Sequence, residues 1–219
     1  MRRALLVVAL VVTGRSAVAQ DSASFANVDR ETALRLTRIV DSARAHGLPT
    51  EPIVAKISQG ALFHSSPERI VSAAQAVATR LEEARSALAP KPTAADVVAG
   101  GDALGVAGVT KTALQAVRAT SPNRPVVVPL AVLAQLVASK IPVSRATEIV
   151  TGLIKRGATN EQLVALGNDV TADIVRGARA IASLDVRLQG LNAILAPGAL
   201  TTTASDPAGL TSGSGPKKP

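Results

Sequence analysis

Apolar residues recur along most of this chain with the spacing of three or four positions that places them on one face of an α-helix. The clearest series follows Pro67 and extends over about six helical turns. Its members are Ile70, Ala74, Val77, Leu81, Ala84 and Leu88. Ser66 stands at a favoured capping position and Pro67 at a favoured first helical position, whereas Pro90 and Pro92 end the pattern. The spacing therefore predicts a helix over residues 67–88.

Similar patterns predict helices before and after this one. One helix runs from Asp29, a favoured capping residue, to His46, and Gly47 supplies the left-handed stop that ends many helices. Its apolar face consists of Leu36, Ile39, Val40 and Ala43. Shorter helices are predicted at residues 50–62, 94–104, 110–120, 126–140, 144–156, 160–176 and 178–195.

Only one short run is typical of a strand. The three valines of residues 126–128 are β-branched, but Pro125 and Pro129 flank them. We interpret them as the entry to a helix, with one short extended segment as the alternative. The chain is therefore predicted to be all-α, with eight or nine helices packed as helical hairpins or as a short irregular solenoid. The residues expected in its core are Ile70, Val77, Leu81, Leu133, Leu136, Ile149, Leu153, Leu163 and Ile174.

Three predicted turns share one layout. Each has a glycine that ends a helix, then an apolar or small residue, a capping or turn residue, and an aliphatic residue four positions further on. The glycines are Gly47, Gly108 and Gly157. This layout can close a hydrophobic staple, and Thr159 with Gln162 also fits a capping box. Looser copies of the layout begin at His64 and Lys140.

Two parts of the chain carry the same helical pattern. Residues 47–88 align on residues 140–181, with agreement at most apolar positions and few identities. The shared pattern suggests an internal duplication. The alternative is that any two amphipathic hairpins would agree in part.

Two short motifs lie within the first of these parts. Residues 47–49 read Gly-Leu-Pro, and residues 67–71 read Pro-Glu-Arg-Ile-Val. With these motifs the chain resembles uncharacterised exported bacterial proteins that repeat the same segments, over most of residues 47–190. The resemblance implies an exported protein, and it brings no activity and no functional residue with it.

The first residues have the layout of a secretory signal peptide. Arg2 and Arg3 supply a positive start, residues 4–12 are an unbroken apolar run, and Ala17 and Ala19 are the small residues that signal peptidase reads. We expect cleavage between Ala19 and Gln20. A membrane anchor is the alternative, but this run is only about half the roughly 20 residues that a spanning helix needs. The mature protein is therefore expected in the periplasm or outside the cell.

The predicted organisation follows from these features. Residues 1–19 form the signal peptide, residues 20–28 an N-terminal lead, residues 29–195 the helical domain and residues 196–219 a disordered tail that is rich in Pro, Gly and Ser. Removal of the signal lowers the formal net charge from +8 to +5, because three arginines and no acid are lost. The remaining basic residues alternate with acids along the helices. A nucleic-acid partner is therefore not expected, although weak attraction to anionic envelope polymers remains open.

Composition excludes several kinds of site. The chain has no Cys, Trp or Tyr, and aromatic residues make up 1% of it. It cannot form disulfides, a thiol nucleophile, a zinc ribbon or an iron-sulfur centre. Binding of sugars or single-stranded nucleic acid by aromatic stacking is nearly excluded as well. The sequence implies no cofactor and no metal site.

His46 and His64 are the only imidazoles, and both lie at predicted helix ends. The helix dipole favours a protonated His at such a position, so a structural role is sufficient. The alternative is a Ser–His pair for nucleophilic catalysis, formed by Ser42 with His46 or by Ser65 or Ser66 with His64.

Two acidic positions and one glycine-rich run are further candidates for a functional site. Asp169 and Asp173 lie four residues apart on one predicted helix face, as a metal-binding or acid–base pair would, but Arg176 can screen them. Glu82 and Glu83 are interpreted as part of a solvated face. The glycine-rich run at residues 100–108 lacks a phosphate-binding lysine, and we interpret it as a flexible hinge.

Three classes of function are consistent with these features. The first is a non-catalytic protein of the cell envelope that binds a protein partner or itself through a helical face. The second is peripheral association with a membrane or cell wall, through helices and the Lys217–Lys218 tail. The third and least favoured is a hydrolase-type enzyme. No catalytic, cofactor-binding or metal-binding residue is assigned.

The signal-peptide interpretation predicts that the exported protein begins at Gln20. We expect Ala19→Leu to leave unprocessed precursor, because a large side chain replaces the small one at the cleavage position. Mass spectrometry of the N-terminal peptide measures the result, and Ala23→Leu is the matched control beyond the cleavage site. An exported chain that still begins at Met1 would contradict the interpretation.

Overall fold

Nearly every segment with helical spacing of apolar residues folds as a helix. A computed structural model describes residues 28–195, and this range contains nine α-helices and no strand. They are α1 (Arg30–Ala45), α2 (Glu51–Leu62), α3 (Pro67–Ala87), α4 (Ala94–Leu104), α5 (Lys111–Thr120), α6 (Val127–Ala138), α7 (Val143–Lys155), α8 (Asn160–Val175) and α9 (Ala180–Leu195). The all-α fold class is confirmed. The extended alternative for the three valines is wrong, because Val126 caps α6 and the next two valines begin it.

Several predictions lie outside the described residues. These are the signal peptide, its cleavage between Ala19 and Gln20, nearly all of the N-terminal lead at residues 20–28, and the tail at residues 196–219. They stay predictions from the sequence.

Five of the helices end in the same left-handed turn. At the end of α1, Gly47 has a φ of 67°, its N–H donates to Arg44 O at 2.9 Å, and the N–H of Leu48 donates to Ala43 O at 2.9 Å. These two bonds define a Schellman motif, which satisfies carbonyls at the helix end. Equivalent bonds and positive φ values recur at four further residues: His64, Lys140, Gly157 and Gly177. The predicted stops at Gly47 and Gly157, with their looser copies, are thereby confirmed.

Gly108 does not belong with these stops. It has a φ of 99°, but α4 has already ended at Leu104, and the N–H of Val109 donates to Val106 O in a separate turn. The sequence grouped Gly108 with the other two glycines because the residues after it look alike. Only the hydrogen bonds before it distinguish the two kinds of turn.

Side-chain caps fix where several helices begin. Asp29 accepts a hydrogen bond from Thr32 N–H at 3.0 Å, as its capping role predicts. The predicted capping box of Thr159 and Gln162 is also present. Ser66 takes the cap position of α3, but its side chain makes no capping bond. Pro67 starts that helix without help from the serine hydroxyl.

The helices pack as a short solenoid. Neighbouring helices form the hairpins α2–α3, α3–α4 and α8–α9. Helices also pack against the helix two positions further along the chain. These contacts form one row of α4, α6 and α8 and a second row of α5 and α7, and α1 packs on α3. Each pair of helices therefore packs against the pair before it. Repeat proteins build a continuous core in the same way, because each repeat contacts only its neighbours.

The core consists of two clusters that meet at α3. One joins α1, α2, the first four turns of α3 and Val97, and the other extends from Ala84 to Leu184. Seven of the nine residues expected in the core are buried, but Val77 and Ile174 are only partly buried. On α3 the buried stripe passes through Ala78 instead of Val77, because neighbours on both sides of the helix shift its covered face.

Gly100 and Gly101 do not form a hinge, so the hinge interpretation is wrong for this part of the glycine-rich run, and for residues 105–108 it stays a prediction. Both are buried inside α4, where the helix crosses α3. A Cβ atom on Gly100 would lie 2.9 Å from Ala84 Cβ, and one on Gly101 would lie 2.9 Å from a methyl group of Leu81. These glycines allow two helices to approach closely, which accounts for them without any flexibility.

The two aligned parts of the chain share their helical plan. Residues 47–88 contain α2 and α3, residues 140–181 contain α7 and α8, and the helices begin at aligned positions or one residue apart. The left-handed residues also coincide, since Gly47 aligns with Lys140 and His64 with Gly157. The duplication itself stays a prediction, because similar geometry can arise in unrelated hairpins.

The buried stripe of α3 generates a stability prediction. Leu81→Ala should lower the free energy of unfolding by about 2–5 kcal/mol, because the buried side chain leaves a cavity beside Gly101. Urea unfolding followed by circular dichroism measures the change. Leu62→Ala is the matched control, because Leu62 is exposed. Equal stability of the Leu81 variant and the parent would show that this stripe does not face a core.

Candidate functional site

Within residues 28–195, Asp96 and Arg118 are the two buried charged residues, and they form a salt bridge between α4 and α5. Arg118 Nη2 lies 2.9 Å from Asp96 Oδ2, and the other carboxylate oxygen accepts the N–H of Val126 at 2.7 Å. Thr93 and Asp96 also form a capping box. Burial raises the pKa of the Asp96 carboxyl, but hydrogen bonds from Val126, Thr93 and Arg118 outweigh it, so that pKa lies below its ordinary value.

The guanidinium of Arg118 ties down the segment between α5 and α6. Its Nη1 donates to the carbonyls of Arg124 at 3.0 Å and Ser121 at 3.3 Å, while its Nε is buried without a partner in the described structure. Together with Asp96 it holds α4, α5 and the start of α6 in one arrangement. Sequence reasoning missed this pair, because its members are 22 residues apart and no local pattern links them. We assign it a structural role.

Asp173 on α8 is the centre of a second polar cluster. Arg187 of α9 donates to both of its oxygens at 2.8 Å, and Ser183 Oγ donates at 2.8 Å. Arg176 makes a further ion pair with Asp173, and Arg187 Nη1 also reaches Asp169 at 3.2 Å. The hydrogen bonds from Arg187, Ser183 and Arg176 hold the pKa of Asp173 well below its usual range.

This cluster decides between the two interpretations of the acidic pair. The predicted screening by Arg176 is present, but Arg187 from the next helix is the residue that contacts both carboxylates. A bidentate arginine occupies Asp173, which leaves no free pair of carboxylates for a metal ion or for proton transfer. The sequence does not identify Arg187 as the partner of these acids. Their contact depends on how α9 folds back on α8, and no local pattern of residues determines that direction.

The last described helix, α9, exposes apolar side chains in addition to the leucine stripe that packs on the core, which consists of Leu184, Leu188, Leu191 and Leu195. Its charged residues point to neighbouring helices: Arg187 pairs with α8, and Asp185 pairs with Arg145 of α7 at 2.7 Å. Only Ser183 and Leu184 of α9 are buried. In contrast, the side chains of Val186 and Ile194 are 65% and 57% exposed. A surface helix normally carries polar residues on the side that faces solvent.

A groove lies between α8 and α9 on this apolar side. We call it the hairpin groove, and its volume is about 360 Å³. It is lined by Gln162, Ala165, Leu166 and Asp169 of α8 and by Val186, Arg187, Gly190, Leu191 and Ile194 of α9. The only charges among these residues belong to Asp169 and Arg187, which pair with each other. The groove is therefore apolar and carries no net charge.

His46 lies in a separate groove between α1 and α3. The groove has a volume of about 400 Å³, and Ser42, Glu82 and Glu83 are among its lining residues. The ring Nδ1 of His46 is 2.7 Å from the backbone carbonyl of Ser42, not from its hydroxyl. The Ser42–His46 nucleophilic pair is therefore not formed. His46 instead caps the end of α1, as the structural interpretation predicts, and Arg85 donates to its carbonyl.

The remaining candidate residues do not converge. His64 occupies the left-handed position after α2, and no hydrogen bond joins its ring to Ser65 or Ser66. Glu82 pairs with Arg85 at 2.8 Å, in keeping with a solvated face. Among residues 28–195, no group of three or more His, Asp or Glu side chains could hold a metal ion.

Comparison with protein-family models, with curated proteins and with solved structures finds no match to this chain. No helix in the described range is both long and apolar enough to cross a membrane. The fold and the side chains described above therefore carry the functional argument on their own.

The buried salt bridge generates a prediction with two readouts. Arg118→Met should lower the free energy of unfolding by about 3–5 kcal/mol, because it leaves the Asp96 carboxylate buried without its cation. The double variant Asp96→Asn/Arg118→Met should recover part of this loss, since no charge then remains buried. Urea unfolding at pH 7 measures both. A double variant less stable than Arg118→Met would contradict this account.

Acidification tests the same pair. The folded pKa of Asp96 is lowered, so its contribution to stability is present above the unfolded pKa of about 3.9 and is lost as the pH falls through the lower folded value. The parent should therefore lose more stability between pH 5 and pH 3 (roughly that window) than Asp96→Asn does. Identical pH profiles for the two proteins would contradict the assigned pKa direction.

Proposed function

We propose that this protein is a non-catalytic, exported binding protein that holds an apolar helix of a partner protein in the hairpin groove. The observation that carries the proposal is the set of apolar side chains that α9 exposes beside its packed leucine stripe. Its charged residues anchor it to α7 and α8, while large apolar side chains face solvent. Export rests on the sequence of residues 1–19 and is part of the proposal.

The energetics favour a covered state of this surface. A helix that is apolar on most sides is normally buried, and contiguous exposed apolar surface commonly marks an interaction site. Val186 and Ile194 lie on one edge of the groove, and Leu166 and Leu191 line it. Covering such side chains contributes about 25 cal/mol for each Å² of apolar surface removed from water.

The geometry of the stack suggests the shape of the partner. In each row, a helix packs against the helix two positions before it in the chain, as α8 packs against α6. The groove between α8 and α9 is where a further helix would lie, and a partner helix can take that place. Because Asp169 and Arg187 neutralise each other, the partner's contacting face should be apolar and uncharged.

Gly190 supports the close approach of such a helix. Glycine inside a helix costs roughly 0.5–1 kcal/mol relative to alanine, so an interior glycine needs a reason. In Gly100 and Gly101 the reason is a neighbouring side chain within 3.0 Å of the added Cβ. At Gly190, and likewise at Gly152, nothing lies within 4 Å. Since Gly190 lines the hairpin groove, the contact it would allow is with another molecule.

Catalysis is the weaker alternative, for reasons that lie in the geometry. The imidazole of His46 is bonded to a backbone carbonyl, and the carboxylates of Asp169 and Asp173 are held by Arg187. None of these groups is left as a nucleophile–base pair. A binding role needs no nucleophile–base pair.

The proposal is tested by partner capture with matched surface variants. Immobilised mature protein, residues 20–219, should retain a defined partner from the envelope of its own organism. Val186→Ser/Ile194→Ser should reduce that retention by about tenfold or more, because the apolar contacts at the groove are lost. Quantitative mass spectrometry measures retention, and light scattering reports any self-association.

Two controls make the outcome decisive. Leu34→Ser/Val175→Ser changes exposed apolar residues outside the groove, and it should retain the partner. Gly190→Ala should raise the free energy of unfolding by about 0.5–1 kcal/mol and still weaken binding, because its methyl group enters the groove. Equal retention by the two double variants would contradict the proposal, and so would concentration-dependent dimers that only the groove variant abolishes, since the groove would then bind a second copy.

A further inference from the structure

A basic groove follows the outer side of the α2–α3 hairpin, far along the chain from the hairpin groove. It consists of two adjoining cavities of about 520 and 340 Å³, both of which include Lys56 and Gln59 in their linings. The larger cavity adds Arg80 of α3 and Asp102 of α4, and the smaller one adds Phe63 and Arg69. We call this surface the basic groove and define it by Lys56, Gln59, Phe63, Arg69 and Arg80.

Among residues 28–195 the cations of the basic groove have no acidic partner, although Lys56 Nζ donates to Gln59 Oε1 at 2.9 Å. In residues 28–195, neither Lys56, Arg69 nor Arg80 forms an ion pair, whereas arginines elsewhere on α3, α5, α7 and α9 do. Arg80 is partly buried beside Gly105 and makes no hydrogen bond to the described protein. Asp102 is the one acid in the two linings. The groove is therefore positive and its charges are available to a ligand.

The floor of the basic groove is apolar. Pro52, Val77 and Leu81 line the larger cavity, and Ile70 and Ala73 line the smaller one. Phe63 stands at one end with 70% of its surface exposed. A ligand that fits this surface must therefore combine negative charge with apolar groups.

The spacing of the cations gives the length of that ligand. Arg69 and Arg80 are eleven residues apart on one helix, which corresponds to about 16 Å at the usual rise of 1.5 Å per residue. Lys56 belongs to both cavities and so lies between these ends. About five residues of an extended chain span the same distance.

We propose that the basic groove binds an extended acidic peptide segment of another protein, with apolar side chains between the acidic ones. The acidic groups would meet Arg69, Lys56 and Arg80 in turn, and the apolar groups would contact Phe63 and Val77. A phosphate polymer would satisfy the cations but would leave the apolar floor and Phe63 unused. A flat anionic membrane could contact the cations and the exposed Phe63, but it would not enter the groove as far as its floor. The proposal does not depend on the hairpin groove.

A labelled hexapeptide of alternating glutamate and leucine is the probe, with fluorescence anisotropy of the full mature protein as the readout. We expect saturable binding that weakens with added salt. Lys56→Glu/Arg69→Glu should weaken it by about tenfold or more, because two attractions become repulsions. Arg35→Glu/Arg38→Glu on α1 changes the net charge equally outside the groove and should change the affinity by less than about twofold.

Phe63→Ser separates a peptide site from a general anion site. It should weaken binding of the hexapeptide, and it should not change any binding of polyphosphate. Binding of phosphatidylglycerol vesicles that is tighter than that of the hexapeptide and is lost in Phe63→Ser would show a membrane site instead. Circular dichroism checks that every variant is folded, and all three variants change exposed residues. No binding of the hexapeptide, equal effects of the two charge-reversal pairs, or an unchanged affinity in Phe63→Ser would each overturn the proposal.

Discussion

An aliphatic core without rings holds together only where helix axes come close, because Leu, Ile and Val side chains reach less far than Phe or Trp. In this protein the crossing of α3 and α4 achieves that approach through small residues. Gly100 lies against Ala84, and Gly101 lies against Leu81, at distances that leave no room for a methyl group. Dispersion contacts at this spacing replace the large buried area that aromatic residues supply elsewhere. The other helices pack on either side of the crossing of α3 and α4.

Polar side chains fix the relative orientation of helices that the aliphatic core does not specify. Asp96 and Arg118 fix α5 and the entry to α6 on α4, and Asp173 with Arg187 fixes α9 on α8. Both links are bidentate or multiply hydrogen-bonded, so they specify orientation as well as proximity. In α9 these ion pairs and the packed leucines set the orientation of the helix, and Val186 and Ile194 are left on its exposed side.

The sequence was informative about everything that depends on neighbouring residues. Helix bounds, the stops at Gly47 and Gly157 and the box at Thr159 follow from spacing and turn chemistry, which act over a few residues. Interpretation failed where a distant segment decides. The sequence around Gly101 suggests a hinge, but α3 crosses it, and the spacing of Val77 predicts a core position, but its side chain lines a groove.

The candidate sites follow the same division. The sequence identifies Asp173 as a candidate but does not identify its partner Arg187. Because Arg187 neutralises Asp173, this carboxylate anchors α9 and is not available for chemistry. The cations of the basic groove likewise look ordinary in sequence, since each has acids nearby along the chain. Only the fold shows that Lys56, Arg69 and Arg80 line adjoining cavities while those acids face elsewhere.

The long helix α3 relates the two proposed binding surfaces. Its early turns pack into the cluster below the basic groove, and Ala84, Ala87 and Leu88 pack into the cluster that extends to Leu184 beneath the hairpin groove. A rigid helix shared by both clusters transmits no switch by itself, but it keeps the surfaces at a fixed separation. A single partner that carried both an apolar helix and an acidic segment would therefore bind with avidity, because its second contact would form at the effective concentration set by this separation and not through a conformational change.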